Sequence, residues 1–143
     1  MRATTRSEEE TEQFGEQVAR KLSDSDVLYL MGNLGAGKTC LVRGLAKGLG
    51  ARTREVASPT FALLHEYESA EGRIVLRHLD LYRLSDTARD LEIFGPAEAF
   101  AGAPTVVEWP GQAIRKILPP TLELTIDVSP DGSRTFTLRR CVR

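Results

Sequence analysis

The stretch Val27-Leu28-Tyr29-Leu30-Met31-Gly32-Asn33-Leu34-Gly35-Ala36-Gly37-Lys38-Thr39 decides the fold. Its first five residues form a short apolar run bounded by Ser23-Asp24-Ser25-Asp26 and a glycine, which reads as a strand buried on both faces. Its last eight match GxxxxGK[ST], and a helix follows to about Lys47, with Gly48 and Gly50 as stop signals. The motif carries weight only between strand and helix, which is where it stands here. By chance alone such a match in a chain of this length arises roughly once in 200.

The chemistry needs these residue types. Gly32, Gly35 and Gly37 let the backbone turn its N–H groups inward and form a nest for anionic oxygens, with Asn33, Leu34 and Ala36 completing the loop. The helix that follows starts at its positive end. Lys38 brings a full charge to the outer phosphates, and the Thr39 hydroxyl can join a Mg²⁺ shell. Cys40 follows directly. A small helix residue is the simpler reading for it than a redox switch, although a helix N-terminus lowers a thiol pKa.

Working outward, Ser7-Glu8-Glu9-Glu10 is a capping box, and Thr11, Phe14, Val18 and Leu22 recur at helical spacing behind it. Residues 51–59 are loop-like. Phe61, Leu63, His65 and Tyr67 alternate as a strand, Glu71-Gly72 is a turn, and Ile74 to Asp80 is the returning strand of a hairpin. Asp86 to Phe94 and Pro96 to Phe100 read as short helices split at Gly95-Pro96. Pro104 to Glu108 is a buried strand, and a weaker helix from about Gln112 to Ile117 ends at Pro119-Pro120. Leu122 to Val128 and Thr135 to Leu138 alternate at period two around Asp131-Gly132, so the chain closes with a hairpin. The expectation is one α/β domain over residues 1–143, P-loop NTPase-like, with three layers and a mixed central sheet.

Nineteen Lys plus Arg against twenty Asp plus Glu leave a net charge of −1, without the basic surplus of a direct nucleic-acid binder. No window has the apolar run of a membrane span, and the polar start from Met1 to Glu12 does not read as a signal peptide. Cys40 and Cys141 are distant and form no CxxC pair, so a reducing cytoplasm is expected.

A phosphate loop becomes an enzyme only with a carboxylate at a strand end to hold the metal or orient water. Asp80 ends one apolar strand and Glu108 another, and spacing does not choose between them. His65 and His78 have no zinc spacing with the cysteines. Trp109 reads as a packing anchor or a surface for a base, and Arg139, Arg140 and Arg143 as a solvated basic tail.

Four segments together resemble one family: Gly32 to Thr39, Ser58-Pro59-Thr60-Phe61, the run His78 to Leu84, and Glu108-Trp109. In order and spacing they resemble TsaE (formerly YjeE), the bacterial ATPase family of tRNA threonylcarbamoyladenosine biosynthesis. The resemblance implies ATP/ADP and Mg²⁺ as cofactors, with Gly32 to Thr39 on the phosphates, Thr39 and Glu108 on the metal, and Asp80 in or beside the same site. It implies a switch-like role for Thr60, and places Thr11 and Arg134 near the adenine and nucleotide edge, with Cys40 and Trp109 counted among the nucleotide-binding residues. It implies a TsaB–TsaD pair as partner, reset by ATP hydrolysis, and contact with tRNA only through that pair. Cys40 stands where the family often has Thr, and residues 86–103 match none of its motifs.

Two other classes share the loop. A small-molecule kinase would need an acceptor pocket and an arginine-rich lid, for which Arg83 and Arg89 are the candidates. A nucleotide sensor would bind without cleaving. A regulatory GTPase is disfavoured by the lack of an NKxD-type motif.

Overall fold

A computed structural model describes residues 1–32, 37–52, 64–82 and 91–141. Seven strands form one sheet: β1 (Arg2–Thr5), β2 (Val27–Met31), β3 (Leu64–Glu68), β4 (Ile74–Asp80), β5 (Thr105–Glu108), β6 (Leu122–Val128) and β7 (Arg134–Arg140). Their spatial order is β1-β7-β6-β2-β5-β4-β3. The centre, β6-β2-β5-β4, is parallel, while β3 and β7 run antiparallel at either side, so the sheet is mixed as expected.

Helices α1 (Glu8–Ala19) and α2 (Lys38–Gly48) cover one face. Phe14, Val18, Leu41, Leu45, Leu28, Leu30, Leu76 and Phe136 fuse there into the larger core. The opposite face carries α3 (Gln112–Ile117) and two 3-10 turns at Glu92–Phe94 and Ala97–Phe100, over a second core of Tyr29, Leu79, Val107, Phe100 and Ile114. Two-sided burial explains why β2 and β5 read as unbroken apolar runs, whereas β6 and β7 alternate.

The capping of α1 departs by one residue from the sequence reading. Ser7 Oγ accepts from the Glu10 backbone N–H at 3.1 Å, but the Glu10 carboxylate reaches back to the N–H of Arg6. Ser7→Ala should cost about 1 kcal/mol of stability, read as a drop of a few degrees in a thermal melt. The helix stops at Ala19, and Leu22 packs against the core from the turn beyond it. At the end of α2, Gly50 with φ +89° donates to Lys47 O and Ala51 donates to Ala46 O, the paired bonds of a left-handed C-terminal cap. Gly48, the last residue of α2, also serves packing, and with Gly15 and Gly44 it lines the seam where α1 and α2 meet. A Cβ on Gly15 would lie 2.5 Å from the Leu41 carbonyl oxygen, and one on Gly48 2.7 Å from Ala19 Cβ.

Strand β1 is an addition to the sequence reading. Four residues at an edge offer little periodicity, yet Arg2 to Thr5 pair in register with Thr137 to Arg134, and Ala3 packs on the core. The β3–β4 and β6–β7 hairpins form as expected, turning at residues 69–73 and 129–133. Arg139 and Arg140, read as a tail, are strand residues whose guanidinium groups meet Glu123 and Asp26. Arg143, residues 61–63 of the expected strand and residues 86–90 of the expected helix lie outside the described residues. Among the described residues, no helix is long and apolar enough to cross a membrane.

Candidate functional site

The carboxyl ends of β2, β5 and β4 lie side by side beneath the N-terminus of α2. This is where the strand order diverges, with β5 on one side of β2 and β6 on the other. A cleft of about 380 Å³ opens there, lined by Glu8, Thr11, Gly37, Lys38, Thr39, Cys40, Asp80, Glu108, Trp109 and Arg134. Gly32, at the end of β2, lines a smaller recess adjoining it beside Lys38 and Trp109.

Gly37 has φ +92°, a backbone conformation that favours glycine, and a Cβ there would sit 3.1 Å from Cδ and Nε of Arg134, so that side chain would have to shift slightly. The next residue, Lys38, is 6% exposed, and its ammonium stands 3.8 Å from the centroid of the Trp109 ring. It has no hydrogen-bond partner among the described residues. Burial pushes its pKa below the ordinary range, against the pull of the Glu108 and Asp80 carboxylates. Nε of Arg134 is likewise buried without a partner among the described residues. Two cationic groups from distant parts of the chain thus face one cleft with donors to spare, at the positive end of an 11-residue helix. That donor set fits the phosphates of a nucleotide.

The two carboxylates between which spacing did not choose are neighbours. The register of β4 and β5 sets Asp80 opposite Glu108, and both line the cleft with Thr39. Asp80 Oδ1 accepts from the Tyr82 N–H at 3.0 Å, and Glu108 Oε2 lies 2.8 Å from His78 Nε2. Among the described residues no group of three or more His, Cys, Asp or Glu gathers around a single point. Two carboxylates and a hydroxyl suit Mg²⁺, which keeps waters and phosphate oxygens among its ligands.

Trp109 caps the cleft with a non-glycine φ of +56°, its ring 5.0 Å from that of Tyr82. Thr11 forms part of the wall, but its hydroxyl is already engaged with Thr5 Oγ1 at 2.7 Å and with the Ser7 carbonyl at 3.1 Å. Burial and then the Glu8 carboxylate push the Cys40 thiol pKa up, which agrees with its reading as a small helix residue rather than a redox switch. Asn33, Leu34, Gly35, Ala36, Thr60 and the kinase-lid candidates Arg83 and Arg89 lie outside the described residues. Glu8 and His78 are site residues that motif reading passed over. The signal for His78 was its period-two relation to Asp80, which sets both on one face of β4.

Sheet order, layers and cleft define an α/β protein of the three-layer, P-loop NTPase-like kind. Residues 5–138 match the family model described as threonylcarbamoyl adenosine biosynthesis protein TsaE. A tRNA threonylcarbamoyladenosine biosynthesis protein TsaE from Treponema pallidum (strain Nichols) is 39% identical over 139 residues, covering 96% of this chain and 99% of that one. Its namesake from Bacillus subtilis (strain 168) is 38% identical over 130 residues, covering 90% of this chain and 78% of the relative. The crystal structure of Bacillus subtilis YdiB superposes with a TM-score of 0.72 at 31% identity, over 98% of this chain and 84% of that one. The chain belongs to the TsaE family.

Proposed function

We propose that this chain is a Mg²⁺-dependent ATPase of the cytoplasm, an accessory subunit for the threonylcarbamoyl modification of the adenosine next to the anticodon in tRNA. Its turnover is weak alone and raised by a TsaB–TsaD pair, through which it meets tRNA. Family membership and the names of the relatives support the pathway. The observation that carries the ATPase reading is the buried Lys38 ammonium at the start of α2, unpartnered among the described residues and beside the Asp80–Glu108 pair.

In this reading Gly32 to Thr39 hold the phosphates. Lys38 turns from the Trp109 ring to the outer phosphate oxygens, a stronger partner for an ammonium than an aromatic face. Arg134 closes the cleft from the far side, with Thr11, Cys40 and Trp109 as walls. Thr39, Glu108 and Asp80 hold Mg²⁺, and one of the two carboxylates orients the attacking water. Bound Mg-ATP supplies the phosphoanhydride bond and the metal's neutralisation of developing charge. Thr60 reports the state of the outer phosphate to the partner pair.

Phosphate release from Mg-ATP, measured with the purified chain and then with TsaB–TsaD added, tests the proposal. Stimulation by the pair is the expected result, and its absence alongside intact ATP binding would turn the reading toward a sensor. Glu108→Gln should lower the stimulated rate by about 100-fold or more while nucleotide still binds. An unchanged rate would remove Glu108 from the machinery.

A further inference from the structure

Directly beneath the two carboxylates, on the face of the sheet that α1 and α2 cover, lies His78. The pairing His78↔Val106 and Asp80↔Glu108 sets it one pleat deeper than the carboxylates and on their face of the sheet. Its side chain is 6% exposed, and its Nε2 lies 2.8 Å from Oε2 of Glu108. An ionised carboxylate has no hydrogen to give, so Nε2–H is the donor. Nδ1 has no partner among the described residues, so the contact with Glu108 is the one polar contact of the ring there. An apolar side chain of similar size would fill the same space without burying two ring nitrogens, and a single hydrogen bond returns little net stability. The fold itself therefore gives weak reason for a histidine at this position. Glu108 gives a better one, since a glutamate facing a cleft has several rotamers and only some present its carboxylate to a metal.

We propose that His78 is a positioning residue that fixes the Glu108 carboxylate for metal-bound nucleotide. The inference rests on the reading that Mg-ATP binds in this cleft. His78 touches neither metal nor nucleotide; it ties down Oε2 and leaves the rest of the carboxylate to the cleft. Outer partners of this kind sharpen metal affinity while leaving the ligand set unchanged.

The test is calorimetric titration of ATP with and without Mg²⁺, together with Mn²⁺ binding followed by electron paramagnetic resonance. In H78L the gain in ATP affinity conferred by Mg²⁺ should fall about 10-fold or more, with metal-free ATP affinity kept within about 2-fold. H78Q, whose amide N–H can reach Glu108, should recover most of that gain and of the Mn²⁺ signal. If H78L does not fold, H78N, polar but with a shorter arm, takes its place against H78Q. Equal weakening of ATP with and without metal, or a wild-type gain in both variants, would overturn the proposal. A wild-type protein that gains nothing from Mg²⁺, with E108Q behaving identically, would mark the failure as that of the Mg-ATP reading itself.

Discussion

Lys38→Ala is expected to reduce phosphate release from Mg-ATP to background and to weaken Mg-ATP binding by about 100-fold or more. The ammonium is buried at the first residue of α2, directly after the Gly37 turn. The same substitution should leave the fold intact. Lys38 binds its proton more weakly in the folded chain than in the unfolded one, since burial lowers its pKa. Such a group penalises folding at neutral pH, and stability rises as pH climbs past its folded pKa toward the unfolded value. Alanine relieves the penalty and gives up a cation–π contact of about 0.5–2 kcal/mol, two changes of opposite sign. Activity and melting temperature, measured on the same preparation, check both halves. Wild-type turnover would refute the site, while a collapsed melt would move Lys38 into a structural role.

Gly44→Val should destabilise by about 3 kcal/mol or more, lowering the melting temperature by about 10 °C. A Cβ at this position overlaps the Glu12 carbonyl oxygen and lies 3.0 Å from Gly15 Cα. Both are backbone atoms of α1 and cannot swing aside as a side chain would. The helices must separate, and with them the larger core that joins Phe14 and Val18 to Leu41 and Leu45. Against a typical total stability of about 5–15 kcal/mol, that loss is large. Gly72→Ala is the control: φ is +81° there but nothing lies within 4 Å, so only the backbone term of about 1 kcal/mol applies. Melts of the two variants decide, and a Gly44→Val chain melting with the wild type would mean that the seam is not tight. Thr11 on α1 and Lys38 on α2 share one cleft, so a loosened seam should weaken nucleotide binding too.

Local signals made much of this legible. A strand, a glycine loop and a helix in succession announce a phosphate-binding turn, and turn residues at Gly72 and Gly132 announced both hairpins. What stayed hidden depends on partners far away in the chain. β1 exists because β7 offers it an edge, and four residues carry no pattern of their own. Gly48 ends α2 as its stop signal suggests, but its close packing against Ala19 on another helix is not visible along the chain. Asp80 and Glu108 looked like competitors because spacing along the chain does not report strand register. The parallel pairing of β4 with β5 brings them together. At Cys40 the helix end is visible in the sequence, but the burial and the Glu8 carboxylate that raise its thiol pKa are not.

The chain has a single tryptophan, and its ring lies over the Lys38 ammonium and against Tyr82. All of its indole emission therefore originates at one wall of the cleft. Excited beyond the absorption band of tyrosine, the protein carries an intrinsic optical gauge of Lys38. A charge that quenches or shifts the indole while it rests on the ring ceases to do so once it turns away, so the colour and intensity of the light follow the position of a single ammonium group without any label.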